Sequence, residues 1–270
     1  MCPESSYIFN SSYGAISYNI EGDGESLVLV HGTPWSSYNW RKIIPALSKW
    51  FRVYSYDLLG YGMSEKSEGD VSLGVQNVIL KELIDFWKLD EPKIVGHDFG
   101  GATVLRAHLL NRQPFQKILL IDPVAVSPWG SPFFSHVANY EPAFSGLPGY
   151  IHDAVLTRYI EGAAYFPMDK ETLREIGKPW TGKEGQAAFY RQIAQSDSRY
   201  TDEAEVLYGE IEVPVLLIWG EEDRWIPLER GVELNRKIKT SELVTIPQAG
   251  HLVQEDQPAL LVSYILKFMG

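Results

Sequence analysis

The sequence predicts an α/β domain: a mostly parallel sheet with helices on both faces and a largely helical segment inserted before the last strands. Two observations carry this. Short apolar runs that end in turn residues alternate with amphipathic stretches. That alternation then breaks between roughly residues 124 and 209, where aromatics, Pro and Gly are frequent and helical patches follow one another with no strand between them. At 270 residues the chain is long enough for one large domain with a real core.

The expected strands come first. Residues 27–30 stop at His31-Gly32, residues 52–56 stop before Asp57, and residues 93–95 stop at Gly96. Residues 118–121 stop at Asp122-Pro123, residues 215–219 at Gly220, and residues 243–246 at Pro247. Each run is short and rich in β-branched or aromatic side chains, as strands buried on both faces should be. Amphipathic stretches at 75–87 and 102–110 read as helices between them. The organisation expected is a first core part at 1–123, a helical cap at 124–209 and a second core part at 210–270.

Composition narrows the functional classes. Hydrophobic residues make up 45% and charged residues 22% of the chain, the balance of an ordinary globular protein. A formal net charge of −11 argues against nucleic acid and against an anionic membrane surface, since both are bound through basic patches. Cys2 is the one cysteine, so no disulfide can form within the chain. Residues 1–18 are polar and lack a basic then apolar leader, and no apolar run is long enough to span a bilayer. A cytoplasmic protein is expected. His108, His136 and His152 have no acidic or cysteine partners at ligand spacing, so no metal and no cofactor are expected. The expected partner is a small-molecule substrate, with the chain a monomer or homodimer.

Loops at the carboxyl ends of strands are where an open α/β sheet binds ligands. Three such loops carry chemistry here. Gly96-His97-Asp98-Phe99-Gly100-Gly101 follows a strand and opens a helix. A Gly-x-nucleophile-x-Gly turn sets one side chain on a sharp bend, with glycines where a Cβ would clash. The helix N-terminus aims free N–H groups at the same place. The residue at the centre is usually Ser; here it is Asp98. Alone, the segment also fits a tight turn with Asp98 as an N-cap. His31-Gly32-Thr33-Pro34 sits where a loop completes an oxyanion hole, the Thr33 N–H joining that of Phe99. Gly250-His251 follows the last strand, and Gly220-Glu221-Glu222-Asp223 offers an acid before it. Nucleophile, acid, His is the order of a known triad arrangement.

These segments, together with Asp57-Leu58-Leu59-Gly60-Tyr61-Gly62-Met63-Ser64, resemble α/β-hydrolase-fold proteins of the epoxide hydrolase and haloalkane dehalogenase branch. The resemblance spans nearly the whole chain except the helical segment. It implies a two-step mechanism. The Asp98 carboxylate displaces a leaving group from carbon to form an ester. His251 then deprotonates a water that attacks the ester, with Asp223 orienting the imidazole. Asp122 is the rival acid; Asp223 is preferred because Pro123 follows Asp122 directly.

The two branch reactions differ in the leaving group. Epoxide opening needs an acid, which the resemblance assigns to two cap tyrosines. Among Tyr140, Tyr150, Tyr159, Tyr165, Tyr190, Tyr200 and Tyr208, Tyr190 is expected as one, with Tyr140 preferred to Tyr150 as the other. Dehalogenation instead needs N–H donors around a halide, and Phe99 and Thr33 stand where many dehalogenases carry Trp and Asn. Epoxide chemistry is therefore favoured. Trp35 and Trp129 are expected to line the pocket, with Trp180 as a further candidate. A binder that has lost turnover is the other class, disfavoured because Asp98, His251 and Asp223 are all present.

Overall fold

The computed structural model describes residues 6–66 and 68–270; Cys2 lies outside them. The strands are β1 (Tyr7–Asn10), β2 (Ala15–Glu21), β3 (Glu25–Val30), β4 (Phe51–Tyr56), β5 (Lys93–His97), β6 (Ile118–Ile121), β7 (Val215–Gly220) and β8 (Ser241–Ile246). They form one eight-stranded sheet in the order β1-β2-β4-β3-β5-β6-β7-β8. The β1–β2 and β2–β4 pairs are antiparallel and the rest are parallel. The six expected strands are present. The first two were not expected, because their sequence is mixed in polarity and β1 is mostly exposed at the sheet edge.

Strand periodicity divides the core. Leu27, Leu29, Val53, Val95, Leu119, Ile121, Leu216 and Ile218 point to one face. There they meet α1 (Ile44–Leu47) and the C-terminal helix. Val28, Val30, Tyr54, Ile94, Ile118, Leu120 and Leu217 point to the other face. There they meet α2 (Leu73–Trp87) and α3 (Phe99–Leu109), through side chains such as Ile79, Leu83, Val104 and Leu105. Helix α2 stops at Lys88, whose left-handed φ of 56° closes the last turn.

Between β6 and β7 lie α4 (Pro132–Ser145), α5 (Gly149–Glu161), α6 (Lys170–Gly177), α7 (Gly182–Ala194) and α8 (Arg199–Glu205). They are tied to the loops at the strand ends by specific bonds. The Trp180 indole donates to Pro34 O at 2.7 Å and Val71 N donates to Gln195 Oε1 at 2.7 Å. After β7 come α9 (Leu228–Lys237), α10 (Val253–Asp256) and α11 (Pro258–Met269). Among the described residues no helix is long and apolar enough to cross a membrane.

Candidate active site

Asp98 is the one residue between β5 and α3, at φ 54° and ψ −120°. That left-handed backbone is costly for a non-glycine residue and marks the bend as over-determined by its surroundings. The crowding is visible at its neighbours. A Cβ at Gly96 would lie 2.7 Å from Gly100 O, and one at Gly100 would lie 2.1 Å from Val30 O. The Asp98 side chain does not cap α3. Its Oδ1 accepts instead from the Thr33 backbone N–H at 2.6 Å, across from the loop after β3. Phe99 opens α3, so its N–H belongs to the free end of that helix.

Its other oxygen faces a histidine. His251 Nε2 lies 3.4 Å from Asp98 Oδ2, without the alignment of a hydrogen bond. His251 Nδ1 is 2.8 Å from Asp223 Oδ2. Asp223 is itself held, its Oδ1 accepting from Trp225 N at 2.7 Å and Ile226 N at 3.0 Å. The rival acid, Asp122, is turned elsewhere: its Oδ1 accepts from Gly220 N at 2.9 Å, and its Oδ2 has no partner. The His97 ring spans His251 O at 2.8 Å and Gln254 Nε2 at 3.3 Å, behind the imidazole.

Aromatic rings wall this group. Trp225 stacks on His251 with centroids 5.1 Å apart, on Tyr159 at 4.5 Å and on Trp35 at 5.7 Å. From α7, Gln192 reaches the loop after β3, its Oε1 accepting from Thr33 Oγ1 at 2.7 Å and from Tyr61 OH at 2.9 Å. Two tyrosines feel the Asp98 charge. Burial raises the Tyr159 phenol well above its ordinary range, and Asp98 and Tyr61 raise it further. The Tyr61 phenol is raised by burial, opposed by its bond to Thr33 and reinforced by Asp98.

Two expected residues are elsewhere. Tyr190 is buried, but its hydroxyl pairs with His152 Nδ1 at 3.0 Å. Gln192 and Tyr190 sit two positions apart on one helix, roughly 200° around its axis, so they cannot share a face. The face turned to Thr33 is that of Gln192. Tyr140 is 55% exposed and packs on His136 in an outer groove. Helix α4 kinks there, with φ −135° at Tyr140 and Pro142 just beyond, which turns the ring away from the core. The Trp129 ring meets Phe99 edge-on, but its N–H donates to Thr201 Oγ1 at 2.8 Å. Trp35 is buried, and its N–H has no partner.

Burial works against a charge on His251, but the Asp223 and Asp98 carboxylates outweigh it and hold the imidazole well above its usual pKa. His97 is held well below the usual value, first by burial and then by the His251 charge. Burial lifts Asp122 well above the carboxylate range, and the Asp223 charge adds to this.

Residues 27–263 match the alpha/beta hydrolase family, and the chain belongs to it. A solved alpha/beta hydrolase fold protein from Burkholderia ambifaria is 49% identical, with a TM-score of 0.95 over 97% of each chain. The 2-hydroxy-6-oxo-2,4-heptadienoate hydrolase of Pseudomonas putida is 28% identical over 95% of this chain and 94% of that one. Haloalkane dehalogenase 2 of Mycobacterium bovis is 27% identical over 99% and 96%. The structure of the epoxide hydrolase CorEH shares the fold, with a TM-score of 0.84 over 98% of each chain, at 21% identity. The chain is thus a hydrolase of the alpha/beta family.

Proposed function

We propose that this hydrolase acts by displacement at carbon, with Asp98 as nucleophile, and that its substrates are small apolar epoxides. The observation that carries the reading is the division of labour within one carboxylate. Asp98 Oδ1 is held by the Thr33 N–H at 2.6 Å, while Oδ2 faces the His251 imidazole at 3.4 Å. Oδ2 attacks the epoxide carbon and the ring C–O bond breaks, its electron pair going to the ring oxygen. Oδ1 becomes the ester carbonyl oxygen. Water, deprotonated by His251, then adds to the ester carbon. Oδ1 carries the negative charge of that adduct and already rests on its donor.

The same chemistry weighs against attack at a carbonyl carbon such as the 6-oxo group in the Pseudomonas putida relative's name. A carboxylate attacking a carbonyl gives an anhydride, whereas its alkyl ester is stable enough to form and labile enough to hydrolyse. Epoxide opening leaves an alkoxide that needs a proton. Tyr159 is the cap phenol within the field of Asp98. It takes the role first expected of Tyr190 and Tyr140. The Tyr159 phenolate recovers its proton from charged His251, and the imidazole so freed takes the proton of water, so that epoxide and water give a diol and every group returns to its starting state.

One observation favours an alkyl halide as the second reading: the buried Trp35 N–H has no partner and could solvate a halide. A single experiment separates the two. His251→Gln blocks the second step, so the ester at Asp98 accumulates and is seen by mass spectrometry. An adduct from styrene oxide and none from 1-bromohexane supports the epoxide reading; the reverse moves it to halides. No adduct from either rejects the carboxylate nucleophile.

A further inference from the structure

We infer that Gln192 is a catalytic residue that donates a hydrogen bond from its side-chain amide to the departing epoxide oxygen; this rests on the proposed function. Gln192 is 3% exposed, and its Nε2 is a buried amide nitrogen with no partner. Two N–H bonds are left unmade in a buried position, which is unfavourable for such a group. A glutamine kept in that state needs an acceptor that arrives with the substrate.

The rest of its side chain shows how it is aimed. Thr33 Oγ1 and Tyr61 OH each carry a proton, and one amide oxygen has the two lone pairs to accept both. Turning the amide over would set NH₂ against both hydroxyls and leave their protons without that acceptor. As placed in the structure, Oε1 faces both hydroxyls and Nε2 faces neither. Thr33 is also the residue whose N–H holds Asp98 Oδ1 at 2.6 Å. The amide, carried on α7, thus shares Thr33 with the attacking carboxylate, one end of that residue bonded to each.

The chemical division with Tyr159 follows. As Asp98 Oδ2 forms its bond to carbon, the ring oxygen takes the electron pair of the broken C–O bond. Gln192 cannot release a proton, so it stabilises that oxygen by hydrogen bonding alone. Tyr159 supplies the proton. Gln192 acts on the first step only, because the oxyanion of the second step is Oδ1 on Thr33.

The test measures ester formation at Asp98 from styrene oxide in the His251→Gln background, by intact mass against time. Gln192→Glu keeps the volume and both hydroxyl contacts; Gln192→Met removes the polar end. Both are expected to slow ester formation roughly 100-fold, the usual loss for one preorganised donor. With His251 restored, hydrolysis of the ester once formed should be unchanged, which a merely structural role would not allow. Ester formation at the parent rate in either folded variant overturns the proposal. If the parent itself forms no ester from styrene oxide, the reading of Asp98 fails and the proposal with it, and this is seen before any Gln192 variant is made.

Discussion

At the scale of single residues, the site is a balance between burial and two carboxylates. Asp98 and Asp223 flank His251 and hold its proton against burial. Alkylation of Asp98 would remove one of those charges and free the imidazole to act as a base. Asp98→Asn mimics that neutral state. It should lower the His251 pKa, read from the imidazole resonances by NMR, and reduce turnover roughly 10⁴-fold or more. An unchanged His251 titration would contradict this electrostatic account. Asp122 gives a stability prediction of definite sign. Its folded pKa is raised above its ordinary 3.8, so the folded state holds a proton the unfolded chain releases. Stability is therefore full below that ordinary value and is lost as pH rises toward the raised one. Asp122→Asn removes the titration but keeps the acceptor for Gly220 N. Relative to the parent, it should gain stability between pH 4 and pH 8 in urea unfolding; a constant difference would mean that Asp122 is ionised in the fold.

At the scale of elements, the strand–turn–helix around Asp98 is the most constrained piece of the chain. Gly100→Ala places a Cβ on the Val30 carbonyl and should cost roughly 3 kcal/mol while misplacing Asp98. Thermal unfolding and turnover check both effects, and a stable, active variant would contradict the packing. This element was legible in the sequence because backbone sterics dictate its glycines. Both Asp122 and Asp223 fit the loop order, and Asp223 was preferred because Pro123 follows Asp122 directly; His251 Nδ1 lies 2.8 Å from Asp223 Oδ2. The helical segment was not legible in the same way. Which face of α7 turns inward depends on how it packs against α5 and the core loops. The sequence therefore pointed to Tyr190, while Gln192 carried no local signal. Tyr61 and Trp225 sat inside or beside recognised motifs, yet only the folded chain brings them to the site. Tyr159 stood among seven cap tyrosines with nothing in its neighbours to single it out. The antiparallel strands β1 and β2, the first an edge strand and both partly exposed, lack the continuous apolar run that marked the central ones.

At the scale of the molecule, Asp98 and His251 are closed off from solvent, at 3% and 0% exposure. An outer groove of about 480 Å³, lined by Phe133, Ile151, Val155, Arg158 and Tyr159, runs over α5. Tyr159 belongs to both groove and site, since its ring also stacks on Trp225 beside His251. Val155→Trp fills the groove without touching the triad. It should lower kcat/KM for styrene oxide about tenfold while leaving ester hydrolysis unchanged. An unaffected kcat/KM would mean that substrate enters elsewhere. The origin of one oxygen atom in the diol distinguishes the ester route from direct attack by water. With enzyme in excess over a single equivalent of styrene oxide in H₂¹⁸O, the first diol formed should carry no ¹⁸O, because its new oxygen comes from Asp98 Oδ2. The label should appear in the peptide containing Asp98. Labelled diol with an unlabelled Asp98 peptide would show that water attacks the substrate directly, and would contradict the ester mechanism.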